Sequence, residues 1–166
     1  LIATECMTLE QKNTCIMCKT KNVAIGSIED IERLRGWIKK GKAWAMGMLA
    51  QRYRDGVGVK QSDKKAIQLY EMAATRGQAS AQFNLGVFYY KGIHGLKQSG
   101  KRAIEYYTLA AEQGLADAQY NLADMYRTGI YVQQSDKKAV ELYEMAAKRG
   151  NANAQYNLGT FYEKGD

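Results

Sequence analysis

"QSDKKAIQLYEMAATRG" occupies residues 61–77 and "QSDKKAVELYEMAAKRG" residues 134–150, differing only at Ile67/Val140, Gln68/Glu141 and Thr75/Lys148. A chain that writes nearly the same stretch twice, 73 residues apart, is built from a repeating unit. Glycine measures the unit: Gly41, Gly77, Gly114 and Gly150 are separated by 36, 37 and 36 residues. Each is followed fifteen residues later by a second glycine, at Gly56, Gly92, Gly129 and Gly165. A fixed period of this size implies stacked supersecondary units, each too small to bury a core of its own.

Each unit reads as two helices. The first spans "KAWAMGMLAQRYRDG", "QASAQFNLGVFYYKG", "LADAQYNLADMYRTG" and "NANAQYNLGTFYEKG" in successive copies. Ala45, Leu49 and Tyr53 recur at i, i+4 and i+8, as do Ala81, Leu85, Tyr89 and Ala118, Leu122, Tyr126, which puts them on one buried face. Beside each leucine stands a small residue (Ala50, Gly86, Ala123, Gly159), which lets a neighbouring helix approach closely. The second helix opens at "SD", where Asp63 or Asp136 is expected to cap the first turn. It runs through Ala66, Leu69, Tyr70, Ala73 and Ala74 and stops at Arg76 and Gly77. The middle copy departs from this: "GIHGLKQSGKRA" has one extra residue and Gly100 in the aspartate's place, so its cap is either weaker or supplied by Ser99. The lone histidine, His94, falls in that longer loop and reads as a surface side chain. Ahead of the array, "SIEDIERLRGWIKKG" predicts one more helix, capped by Ser27 with Asp30, its buried side at Ile28, Ile31, Leu34, Arg35 and Ile38.

A unit of about 36 residues with A-x-A-x3-L-G-x2-Y-x2-G and then D-x2-K-A-x3-Y-x2-A-A-x2-G resembles the Sel-one-like repeat (SLR), a cousin of the tetratricopeptide repeat. The resemblance covers residues 42–166. A tetratricopeptide array is the alternative fold, but the proline that ends its helices is missing throughout. The resemblance implies an all-α, right-handed α-solenoid serving as a scaffold or adaptor, including in ubiquitin-linked assemblies. The expected organisation is an irregular segment 1–26, an N-terminal covering helix 27–41, and repeats at 42–77, 78–114, 115–150 and, as a half copy, 151–166. "NTCIMCKT" is similar to the last ligand pair of a RING-type zinc finger, with Ile16 in the usual proline place. That resemblance makes Cys15 and Cys18 candidate zinc ligands only if further ligands precede Leu1. Within this chain Cys6, Cys15, Cys18 and His94 do not make a closed four-ligand site, so no cofactor is expected here.

Several function classes are set aside. One histidine, no phosphate-binding loop before a helix, and carboxylates that recur as caps or solvent charges leave no acid–base pair, so no enzyme is expected. No apolar run approaches the roughly 18 residues of a membrane span. Three cysteines make a disulfide framework improbable and fit a reducing compartment, cytoplasmic or nuclear. The net charge of +7 is scattered and front-loaded, with seven basic against three acidic residues in 42–77. Solvated basic faces explain it better than nucleic-acid binding, which would require a steep salt dependence.

Binding of a protein or peptide is the better reading. Positions opposite the Leu/Tyr face align, in stacked hairpins, into one concave groove. Its candidate residues are Trp44, Gln51 and Arg54 in the first copy and Phe83, Asn84, Val87 and Tyr90 in the second. The third copy gives Tyr120, Asn121, Asp124 and Arg127, and the half copy Tyr156. Aromatics and arginines are the usual anchors of protein interfaces. Asn84, Asn121 and Asn157 could bond a peptide backbone or brace a neighbouring helix. The side chains that break the repeat pattern (Trp44, Arg54, Tyr90 and Arg127) are the sharper candidates. The alternative function is the substrate-recruiting arm of a longer RING-type ubiquitin ligase.

Overall fold

The computed structural model describes residues 24–163. Among them every regular element is an α-helix: α1 (Ile28–Lys39), α2 (Ala43–Asp55), α3 (Asp63–Thr75), α4 (Ala79–Lys91), α5 (Gly100–Glu112), α6 (Ala116–Thr128), α7 (Asp136–Lys148) and α8 (Ala152–Glu163). The fold is all-α, a solenoid of helix-turn-helix repeats, as the period requires. Two compact units divide between Leu69 and Tyr70, inside α3.

In the first unit α1 packs on α2 through Ile31, Leu34, Ala45 and Leu49, with Trp37 and Trp44 alongside. Ser27 caps α1 by accepting from the Asp30 amide (3.1 Å), as its spacing predicts. The buried stripe is rotated by one residue from the expected one. Ile28 is 78% exposed and Arg35 is exposed, whereas Asp30 is buried. The cause is an ion pair: Asp30 Oδ2 accepts from Arg52 Nε (3.2 Å) and from the Gly26 amide (3.0 Å), and Oδ1 accepts from Arg33 (3.3 Å). Satisfying a buried carboxylate outweighs burying one more isoleucine. Gly58 lies so close to the Gly26 carbonyl that a Cβ would collide with it, which is why "GVGV" keeps its second glycine.

In the second unit small residues set the spacing. Tyr89, Ala103, Tyr107, Ala110, Ala111, Ala118, Leu122 and Met125 make one core cluster; Ala123, Ala139, Tyr143, Ala146 and Ala154 make the next. A Cβ at Gly86 would stand 2.7 Å from the Tyr107 ring, so the small residue beside the leucine seats the tyrosine of its own second helix. Burying such a ring contributes about 2 kcal/mol.

The turns run largely on glycine and glutamine. Gly56, Gly92 and Gly129 end α2, α4 and α6 with φ of 70°, 66° and 72°, the left-handed geometry expected of them. Ser99 is the N-cap of α5, as its place in the middle copy suggested, but α7 starts differently from expectation: Ser135 is its N-cap and Asp136 is already the first residue inside the helix. Ser62 likewise accepts from the Lys65 amide (3.4 Å), with Asp63 inside α3. Serine is short enough to reach back to the third amide, and the aspartate then faces the positive end of the dipole. The Tyr131 ring occupies the space a Cβ on Gly100 would need, which explains why the middle copy lacks the aspartate. His94, at φ 57°, is half-buried with its ring 4.7 Å from Phe88.

Two stability measurements check this packing. Asp30→Ala leaves Arg52 buried without its carboxylate and is expected to cost about 3 kcal/mol in urea unfolding, against under ~1 kcal/mol for an ordinary surface change. Gly100→Asp is expected to cost about 1–3 kcal/mol although it restores the repeat consensus. Adding Tyr131→Gly should recover most of that loss; additive costs would mean the two positions are not coupled.

Candidate functional site

The candidate residues of the first unit lie on α2. Trp44 is half-buried with its ring tilted at 51° and 5.8 Å from Trp37, so one face is committed to packing. Gln51 is exposed. Arg54 grips Asp55 with two bonds, Nε to Oδ1 at 2.7 Å and Nη2 to Oδ2 at 3.1 Å. That grip holds the Asp55 carboxyl below the usual carboxylate range.

The second unit brings more of them together, on α4, α6 and α8. Phe83 is half-buried 5.9 Å from the Tyr107 ring, and Tyr120 is half-buried 5.8 Å from Tyr143. Val87 and Tyr90 are half-buried at the edge of the same cluster as Phe83. Tyr90 meets Tyr131 edge-to-face at 6.0 Å. Tyr156 stands 73% exposed on α8. Rings that are part packed and part open are rigid contact area at little entropic cost.

Beneath these rings run two buried tyrosine hydroxyls. Tyr107 is hydrogen-bonded by Asn121 and Tyr143 by Asn157, each asparagine coming from the first helix of the following repeat. Asn121 thus braces the stack, one of the two roles its spacing allowed. Asn84 instead donates to the Ser80 carbonyl of its own helix (2.9 Å). Burial pushes the Tyr107 phenol up to about 12, with Asn121 opposing, and burial raises Tyr143 in the same way. Arg127 Nε donates to Asp124 Oδ1 (3.1 Å) and to the Tyr143 hydroxyl (3.2 Å), and that hydroxyl reaches Asp124 Oδ1 at 3.3 Å. The carboxylate first, then the tyrosine, hold the Arg127 guanidinium even more firmly charged than usual. Asp124 and Arg127 therefore form a closed polar cluster rather than two separate charges.

Three recurring features carried no sequence signal. Gln82, Gln119 and Gln155 each donate from Nε2 to the carbonyl eight residues earlier (Ala74 at 3.1 Å, Ala111 at 3.0 Å, Ala147 at 3.3 Å), tying each first helix to the end of the preceding second helix. Gln61 and Gln98, in the turns after α2 and α4, donate from Nε2 to the Arg54 and Tyr90 carbonyls at the ends of those helices, both at 2.9 Å. Lys65, Arg102 and Lys138 lie over the Tyr53, Tyr89 and Tyr126 rings at 5.0–5.1 Å. Tyr131 also went unrecognised; its signal is the extra aromatic in a loop where the first copy has glycine. Cys6, Cys15 and Cys18 lie outside the described residues. Among the described residues no cluster of three or more His, Cys, Asp or Glu could hold a metal, and no helix is long and apolar enough to cross a membrane.

In folded protein, Tyr107 should ionise well above the ordinary value near 10, close to 12, in an ultraviolet pH titration. The unfolded chain loses that proton first. The stability tied to the buried phenol is therefore complete below pH ~10 and lost as pH rises towards about 12. Tyr107→Phe should flatten this part of the stability profile and cost about 1 kcal/mol; an unchanged profile would mean that another group is responsible.

A family model described as "Sel1 repeat" matches residues 45–78, 79–115, 116–151 and 152–166. Among solved structures, a Sel1 repeat protein from Oxalobacter formigenes is 34% identical, with a TM-score of 0.76, over 80% of this chain and 99% of that one. A protective antigen of uropathogenic Escherichia coli strains, c5321, which displays an SLR fold, is 31% identical with a TM-score of 0.74, over 82% of this chain and 29% of its own. Cysteine rich protein B of Helicobacter pylori shares the fold at 22% identity and a TM-score of 0.59, over 77% of this chain and 96% of its own. No curated protein matches the chain.

Proposed function

The chain belongs to the Sel1 repeat family, commonly a non-enzymatic protein–protein interaction scaffold, and from that premise we propose that its first-helix face binds a protein or peptide segment. The observation that supports this most is the row of half-open rings on α4 and α6: Phe83, Tyr90 and Tyr120, with Val87 between them. Contact with these supplies the affinity, and Tyr131 extends the row at one edge. Free arginines on such a face would favour an acidic partner. Arg127 and Arg54 are already engaged by Asp124 and Asp55, so a partner carboxylate must compete with a neighbour and gains little. Binding through this face is then apolar in character and only weakly dependent on salt.

Peptides selected against the protein from a random library provide the test. Tyr90→Ala is expected to weaken them at least about tenfold, while Lys101→Ala on α5 leaves them unchanged. Their affinity should move less than about threefold between 50 and 500 mM salt. Equal loss with both variants would remove the face from consideration, and a steep salt slope would favour a nucleic-acid or acidic ligand instead.

A further inference from the structure

Tyr131 breaks two local rules at once. The second residue after the helix-ending glycine is left-handed in three copies: Gly58 (φ 72°), His94 (φ 57°) and Tyr131 (φ 63°). Glycine adopts that backbone freely, whereas an aromatic residue there is strained. His94 turns its strained position to packing, half-buried with its ring 4.7 Å from Phe88. Tyr131 instead stays 49% exposed. Its ring also lies where a Cβ on Gly100 would be, and so denies α5 the aspartate that opens α3 and α7. Strain of this kind, at a site cleared for it and half in solvent, points to a role beyond packing.

What the ring builds is a corner. It stands at 90° to the Tyr90 ring with 6.0 Å between centroids, and Tyr90 is itself half-open. Two perpendicular rings, one seated on Gly100, offer a preformed angle for one compact side chain. The charges around it select among candidates. Ring faces are negative and disfavour a carboxylate. A cation, which rings otherwise attract, meets exposed Lys91 next to Tyr90 and exposed Lys101 next to Gly100, with no carboxylate between Glu71 and Glu105. On the Tyr131 side, Asp124 is held by Arg127, and Asp136 stands beside Lys137 and Lys138. Resting on the reading of the first-helix face as a binding surface, we propose that Tyr131 is a partner-contacting residue whose corner with Tyr90 seats one uncharged apolar side chain of the bound segment.

The probe is the tightest peptide selected against the wild-type chain, titrated onto the whole protein by fluorescence anisotropy. Tyr131→Asn puts in a residue that tolerates left-handed backbone and removes the ring. It should weaken the peptide at least about fivefold, with an unchanged helical circular dichroism spectrum. Tyr131→Phe should bind as the wild type does, because the ring and not the hydroxyl forms the corner. An alanine scan of the peptide should find one apolar residue whose truncation costs about tenfold on the wild type but under about twofold on Tyr131→Asn. Lysine at that place should abolish binding. Tyr90→Ala weakening the peptide while Tyr131→Asn does not overturns the corner and leaves the binding face standing. Indifference to both variants sinks the face, and the corner with it. A lysine peptide that binds better, or a scan without coupling to Tyr131, overturns the apolar assignment.

Discussion

The second unit depends on a place to put a tyrosine. Tyr107 and Tyr143 are buried on second helices, and each ring packs against an aromatic of its own first helix, Phe83 or Tyr120. A ring that large fits between helices only where the facing residue is small, hence Gly86. Its hydroxyl cannot be left bare in an apolar site, so it takes an asparagine from the next repeat. One side chain thereby joins the two helices of a repeat by packing and two successive repeats by a hydrogen bond. That residue thus contributes to the nearest-neighbour coupling a solenoid relies on, beside the glutamine ties and the shared alanine and leucine core.

The same constraint shapes the candidate binding face. Phe83 and Tyr120 cover the buried tyrosines with one side, and among the described residues their other side stays half-open. Structural need is thus met by one side of each ring, and the proposed recognition would use the other. The family's commonly adaptor-like role follows readily from such a scaffold: the inner half is fixed by packing, and the outer half can vary from copy to copy. Tyr90 and Arg127 occupy one repeat position and differ completely in chemistry.

Much of this was legible in the sequence, and the limits have physical causes. The glycines declared the period and the helix ends because left-handed backbone geometry demands them. The alternation of Ala, Leu and Tyr declared the buried face. Serine capping was misassigned to the adjacent aspartate because both residues are good caps and differ by one place in register. Ile28 and Arg35 were placed inside because periodicity weighs apolar spacing and is blind to a carboxylate held by an arginine 22 residues away. The glutamine ties escaped for a related reason: a polar residue in a helical line reads as solvent-facing until its partner carbonyl is seen. The roles of Arg54 and Arg127 changed once Asp55 and Asp124 were found beside them.

Gly100 and Tyr131 give the array a direction in which its parts can be ordered. Residues 61–77 and 134–150 are close enough in sequence to stand in for one another during folding, an invitation to misthreading or exchange between chains. The tyrosine, however, finds its notch only on the helix that lacks a Cβ at that spot, and the two belong to different, non-interchangeable modules. A near-palimpsest of a chain thus carries one mark of register, at the step where the third copy meets the second.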